Sequence, residues 1–344
     1  MNSLLIRQLY AKCKMHGNGE AQVILSDSEL YALIVLAFHD LGWENRCFHC
    51  LDIAFPADNY YAIPMKWFES VGFAISPEQI LTTLEKGKKY KEDFILYIDN
   101  LCALHRRRVK YRKILSAQAI PTMDQIGPRV LLEYGSCDST LLAHWMTWRK
   151  WIYDIDNRSA QETGYVFEPI LANCLGGESV GAKNSPVKRI DENGKPTSQG
   201  RQIDCYLPSE HIACEFKLRV SIAASGQGRF GEELSFPKEC RSAGITPVLL
   251  VLDPTPSDRL AELSRTFLAY DGRFYQGKDA WKYMRKLSGK IISVFMEKYI
   301  RPPISEIESI SFENAGTILL KWSEQEIIVS SQEQQYMITR DVKE

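Results

Sequence analysis

The chain lacks any apolar run long enough to span a bilayer. Its first residues, MNSLLIRQLYAKCKMHG, hold too short an apolar stretch for a secretory signal. A cytoplasmic protein is the expectation. Excess charge of either sign is missing, with 42 Lys and Arg against 43 Asp and Glu. That balance excludes a histone-like polycation, although a local basic cleft can still hold nucleic acid. A disulfide framework is not indicated either, because the nine cysteines are scattered and odd in number. Cys13-x-x-His16 and Cys47-x-x-Cys50 have zinc-ligand types, but only one CxxC exists and the pairs lie far apart. Buried or free thiols are the expectation there. Gly226-Gln227-Gly228 lacks the GK[ST] that a nucleotide loop needs, so no ATP requirement is expected. His49 and His144 have no partner Ser or Cys in a recognisable pattern. No repeat or low-complexity linker breaks the sequence.

What is present is a chain of 344 residues, 45% hydrophobic, enough for one large domain or two ordinary ones. Leu30 to Phe38 is an apolar, helix-like run. Ser76-Pro77-Glu78-Gln79 predicts a helix start, with Ser at the N-cap, Pro at N1 and Gln at N3. The helical pattern then reaches about Ala117, with a break expected near Gly87. A basic run from Arg106 to Lys113 reads equally as a phosphate-contacting surface or a solvated helix face. A second helical stretch covers about 138–157. Its Trp145, Trp148 and Trp151 recur at helical spacing and are expected in the core. Tyr165 to Leu175 reads as a further helix starting close to Pro169 and stopped by Gly176-Gly177. Asn193-Gly194 marks a hairpin turn. Strands are expected at 202–207, 211–220 and 247–252, the last apolar throughout as in a strand buried on both faces. Thr255-Pro256-Ser257-Asp258 caps a helix to about Tyr270. Ala280 to Ile300 reads as one long helix ended by Arg301-Pro302-Pro303, and the tail from Ser305 as a β-hairpin. The chain thus divides into a mainly helical lobe (1–130), an α/β core (131–303) and a hairpin extension (304–344).

The chemistry concentrates on the first two core strands. Hydrolysing a phosphodiester requires a cation to neutralise developing charge and an acidified water to attack. Magnesium suits both, held by one or two carboxylates plus waters and substrate oxygens. Asp204 lies in the strand Gln202–Leu207. Glu215 and Lys217 lie two apart in the next strand and therefore share a face, opposite Cys214, Phe216 and Leu218. A tight Pro208-Ser209-Glu210 turn can bring Asp204 to that same face from an antiparallel neighbour. Charged side chains inside otherwise apolar strands are costly unless paired or bound to metal. Taken alone, Glu-x-Lys in a strand is weak, since surface hairpins often alternate this way. Asp204 at hairpin distance, Glu168 on the preceding helix, the polar stretch 225–233 and the buried strand after it raise its weight.

A helix with Glu, then Asp204 and Glu215-Phe216-Lys217 on a hairpin, then a helix and a buried strand, resembles the PD-(D/E)XK nuclease superfamily. The stretches GYVFEPILANCLGG, GRQIDC, EFKLR, SGQGRFGEELSFP and PVLLVLDPT resemble bacterial type II restriction endonucleases in particular. The likeness covers roughly 160–255, and Ile203 stands in place of the motif's proline, which this superfamily often lacks. It implies an α/β (α+β-like) fold with a central mixed sheet flanked by helices. It implies a Mg2+-dependent endonuclease cutting double-stranded DNA at a specific sequence, as a homodimer, to 5′-phosphate and 3′-hydroxyl ends. Asp204, Glu215 and the backbone carbonyl of Phe216 would then bind one or two Mg2+ ions. Lys217 would orient or help deprotonate the attacking water, and Glu168 would be an auxiliary carboxylate. Two other readings stay open: a structure-directed repair or recombination nuclease of the same fold, and a non-catalytic DNA-binding protein on a degenerate one.

For DNA contact the candidates are Gln227 and Arg229 in a Gly-flanked loop, with Lys188, Arg189 and Arg201 on or beside the 183–201 hairpin. Gln can pair with adenine and Arg with guanine, although phosphate contact or a solvated loop fits Gln227 and Arg229 equally well.

Overall fold

The structure, a computed structural model, describes residues 4–15, 22–46, 53–71, 74–191, 193–218, 227–311, 316–331 and 334–341, without the side chains of 46, 160–166 and 227–229. Helices come first: α1 (Leu4–Lys14), α2 (Asp27–Asp40), α3 (Met65–Ser70), α4 (Pro77–Tyr90), α5 (Phe94–Ala117), α6 (Met123–Ile126) and α7 (Ser139–Cys174). Strands and helices then alternate: β1 (Glu178–Val180), β2 (Lys188–Ile190), β3 (Pro196–Gly200), β4 (Ile203–Leu207), β5 (Ile212–Lys217), α8 (Gln227–Ser242), β6 (Thr246–Val251), α9 (Asp258–Ala269) and β7 (Arg273–Gln276). The chain finishes with α10 (Lys278–Leu287), α11 (Lys290–Phe295), a π-helical turn at Met296–Ile300, α12 (Arg301–Glu308), and β8 (Leu319–Trp322), β9 (Glu326–Ser330) and β10 (Gln335–Thr339). Among the described residues, no helix is long and apolar enough to cross a membrane.

The central sheet runs β1-β4-β5-β6-β7. β4 runs antiparallel to both its neighbours, β1 and β5, whereas β5, β6 and β7 are parallel and joined through α8 and α9. Parallel neighbours need such helical crossovers, which is why the helices lie on the sheet and bury both its faces. On one face Cys214, Phe216, Val248 and Leu250 join a core that also contains α2, α5, the end of α7, α10 and α11. On the other, Ala213, Leu249 and Val251 meet Phe236 and Cys240 of α8 and Leu260, Leu263 and Phe267 of α9. The apolar run at 247–252 is thus a strand buried on both sides. Buried residues from Ile6 to Cys102 belong to the first of these cores, so these helices and the sheet share one hydrophobic interior.

Local signals explain most boundaries. Ser76 and Gln79 form the expected capping box with Pro77 in the first turn. The break expected near Gly87 falls at Lys91–Asp93, because Gly87 is needed inside the helix: a Cβ there would lie 2.1 Å from the Phe94 ring. Gly176 adopts φ +77° just past α7, and Gly177 leaves room for Tyr206, whose carbonyl oxygen would lie 2.7 Å from an added Cβ. Asp191 and Gly194 close the β2–β3 hairpin as the Asn-Gly signal predicts.

Several expectations are corrected. α7 is a single helix through Pro169, not two helices. Proline removes one rung of the ladder, and burial of Ile170, Leu171 and Cys174 outweighs that loss. Of the tryptophans, Trp151 is buried and Trp148 packs against the cluster around it, but Trp145 is 54% exposed. Steps of three fall short of a 3.6-residue turn, so the stripe drifts off the buried face. The helix expected at 280–300 breaks at Ser288-Gly289, and Pro302 and Pro303 open α12 instead of closing its predecessor. Residues 227–233 form the start of α8 instead of a loop. The C-terminal segment forms three antiparallel strands, not two, with Ile327 and Ile338 seated against Leu115, Trp151 and Ile155. The basic run on α5 is neither solvated nor offered to phosphate throughout. Arg106 donates to the carbonyls of Lys12, Met15 and Val23, and Arg108 to those of Tyr60, Tyr61 and Ile63, stitching loops to the helix. Cys13 is a buried thiol; His16, Cys47 and Cys50 lie outside the described residues.

Candidate active site

The β4–β5 ladder pairs Leu207 with Ile212, Tyr206 with Ala213 and Cys205 with Cys214, and goes no further. There a side chain takes over from the backbone: the Phe216 N–H donates to Asp204 Oδ2 at 3.0 Å. Ser179 Oγ holds Asp204 from β1 by donating to its carbonyl at 2.7 Å. The Lys217 carbonyl accepts from Leu252 N–H on the β6 side, so the carbonyl of the preceding Phe216 points the other way, toward Asp204. Strand alternation puts Glu215 and Lys217 on the Ala213 face and Cys214 and Phe216 on the opposite one, as the two cores confirm.

Lys217 Nζ bridges two carboxylates, donating to Glu215 Oε1 at 3.0 Å and to Glu233 Oε1 at 2.9 Å. Glu233 is the member that sequence reasoning missed. Its signal was available: Glu233, Phe236 and Cys240 recur at i, i+3 and i+7, which sets a carboxylate on the sheet-facing stripe of α8. Its other oxygen, Oε2, is buried without a hydrogen-bond partner. Glu168 arrives from α7, one turn before that helix's buried end.

Negative charge is crowded here. Burial, then the charge of Glu215, pushes the Glu168 carboxyl up to about 7, against the opposing pull of Lys217. Burial, with Glu215 and Glu168 adding repulsion, raises Asp204 well above the usual carboxylate range, against the Phe216 N–H and Lys217. Lys217 is raised above the ordinary lysine value because Glu215 and Glu233 outweigh its burial. Its ammonium is held by these two carboxylates. Among the described residues, no three His, Cys, Asp or Glu side chains form a finished metal cage. Magnesium does not require one, since water and phosphate complete its shell. The all-oxygen donors of Asp204, Glu215 and the Phe216 carbonyl, together with carboxyl groups raised by burial and then by mutual repulsion, fit a hard divalent cation.

The residues expected at DNA are spread around this centre. Lys188 and Arg189 lie on the β2 strand, where Arg189 pairs with Glu232 of α8 at 3.2 Å. Gln227 and Arg229 occupy the first turn of α8. Arg201 is turned inward and 7% exposed. It lies 3.7 Å from Glu239, stacks over Phe236 and donates to the Glu232 carbonyl.

A mixed sheet with two helical crossovers, carrying paired carboxylates and a lysine where its antiparallel ladder ends, is the fold of a restriction endonuclease. The comparison with known proteins gives the family. The model of ApaLI-like restriction endonucleases matches residues 57–301, so the chain belongs to that family and is a type II restriction endonuclease. It is 42% identical over 296 residues to the type II restriction enzyme ApaLI of Acetobacter pasteurianus, covering 84% of this chain and 78% of that one. No solved structure matches it.

Proposed function

We propose that this chain hydrolyses both strands of double-stranded DNA at a short fixed sequence, with Mg2+ held by Asp204, Glu215 and the Phe216 carbonyl. The observation that carries the reading is the Asp204–Glu215–Lys217 group on one face of the sheet where β4 and β5 separate. One or two bound Mg2+ ions supply positive charge for the phosphate and acidify a water. The chain's own groups do the rest. Asp204 is oriented by the Phe216 N–H, so its second oxygen is free to bind. Lys217, kept charged by Glu215 and Glu233, orients the attacking water and stabilises charge on the phosphate. Glu168 is the auxiliary carboxylate, for a second ion or for a water bound to the first. Attack opposite the 3′ oxygen leaves 5′-phosphate and 3′-hydroxyl ends.

Lys188, Arg189, Gln227 and Arg229 are the proposed DNA contacts, because the β2–β3 hairpin and the start of α8 flank Lys217 and Glu233. Arg201 supports that surface from beneath. A two-fold site calls for a two-fold protein, hence a homodimer working on DNA in the cytoplasm. Plasmid digestion with Mg2+ tests the proposal. Discrete fragments are expected; a smear would replace it with a structure-directed or non-specific nuclease, and no cutting with a DNA-binding protein.

A further inference from the structure

α7 is buried on two sides. Leu142 and Met146 enter one small core, and Trp151 and Ile155 enter another from the roughly opposite side of the helix. Between them an apolar stripe, Leu141, Trp145, Trp148 and Ile152, runs along the helix at steps of four, three and four. That is the spacing of a seam that packs against another helix. Trp148 is half-covered, whereas Leu141, Trp145 and Ile152 are exposed, and Tyr153 beside them is 60% exposed. The turn before α7 adds Leu131 (80%), Leu132 (99%) and Tyr134 (70%). It adjoins the stripe directly: Glu133 pairs with Arg149 at 2.5 Å, and the Arg149 guanidinium covers the Trp145 ring.

We infer that this surface is where two copies of the chain associate; the inference rests on the homodimer proposed above and names its interface. Area favours a protein partner. With about 200 Å² for an aromatic side chain and somewhat less for an aliphatic one, these exposures approach the roughly 800 Å² that each partner gives to a standard interface. Single soluble chains rarely leave such a patch open. Charge disfavours DNA, since the patch's central cation, Arg149, is already paired with Glu133. Self-association suits the chemistry, because an isologous contact requires one patch to complement itself, and an apolar patch with a closed ion pair does so.

Sedimentation equilibrium of the full chain, alone and with Leu132→Asp or Trp145→Glu, tests this. Both positions are exposed, so both variants should keep the parent's circular-dichroism spectrum and unfold cooperatively. The expected result is a dimeric parent and dimerisation weakened at least 100-fold in each variant, with nicked plasmid accumulating before linear product. Hydroxyl-radical labelling of the unmutated chain gives a second reading: oxidation of Trp145 and Tyr153 should fall as concentration rises through the association. Dimeric variants, or labelling that ignores association, would overturn this interface while leaving the homodimer standing. Variants that stay dimeric yet lose DNA binding would reassign the patch to DNA. A parent that is monomeric at every concentration and on cleavable DNA would overturn the homodimer itself.

Discussion

Replacing Glu168 with Gln should make the metal-free enzyme more stable while slowing cleavage. In the folded chain this carboxyl titrates at about 7 against an ordinary 4.5. The folded state therefore binds more protons than the unfolded one between those values, and stability falls as pH rises through that window. At pH 8 the full difference amounts to roughly 3 kcal/mol. Solvent screening at a partly exposed carboxyl reduces it to about 1–2 kcal/mol. Glu168→Gln removes that penalty, so in EDTA at pH 8 its melting temperature should exceed the parent's by a few degrees. At pH 5.5 less than half of the gain should remain, and below pH 4.5 none. Saturating Mg2+ should narrow the gap at pH 8, because a bound cation offsets the same repulsion in the parent. Thermal denaturation across this pH series, with and without Mg2+, is the assay. A variant no more stable than the parent at pH 8, or a gain equally large at pH 5, would refute the crowded-carboxylate account.

Lys217→Ala should lower the cleavage rate by at least about 100-fold with DNA affinity largely kept; a cleavage time course beside a gel-shift titration decides, and full activity would sink the site assignment. Glu233→Gln removes one of the two anions holding Lys217, so its rate should fall roughly tenfold. The lysine's pKa should also drop, bringing activity loss at alkaline pH to a lower pH than in the parent. Arg201→Met leaves Glu239 buried without its cation and should cost about 3–5 kcal/mol in urea unfolding. Arg201→Met combined with Glu239→Leu should recover part of that, which a DNA-contact role for Arg201 would not produce.

The candidate site was legible because the residues that compose it are local in the chain. Asp204, Glu215 and Lys217 sit on adjacent short strands joined by one turn, so strand alternation alone fixes their shared face. Glu233 was harder, because its role depends on how α8 rotates against the sheet, and the glycines at 226, 228 and 231 make its first turn read as a loop. β1 and β7 escaped notice for a related reason: each has at most four residues, too few for a period, and exists only through its neighbours' ladders. The basic run on α5 misled because its partners are carbonyl groups 45 to 94 positions away, invisible to any local pattern. Pro169 misled through an average preference that the packing around it overrode.

The unbroken course of α7 has a geometric consequence. The same helix carries Trp145 near its start and Glu168 near its end, about 35 Å apart at 1.5 Å per residue. If Trp145 lies at the proposed subunit seam and Glu168 at the proposed cutting centre, α7 is a ruler between them. Inserting or deleting one residue between them would slide Glu168 by about 1.5 Å and turn it by about 100°. On that reading the spacing of the two cuts on DNA would follow the length of one helix, and that part of the chain should tolerate substitutions far better than changes in length.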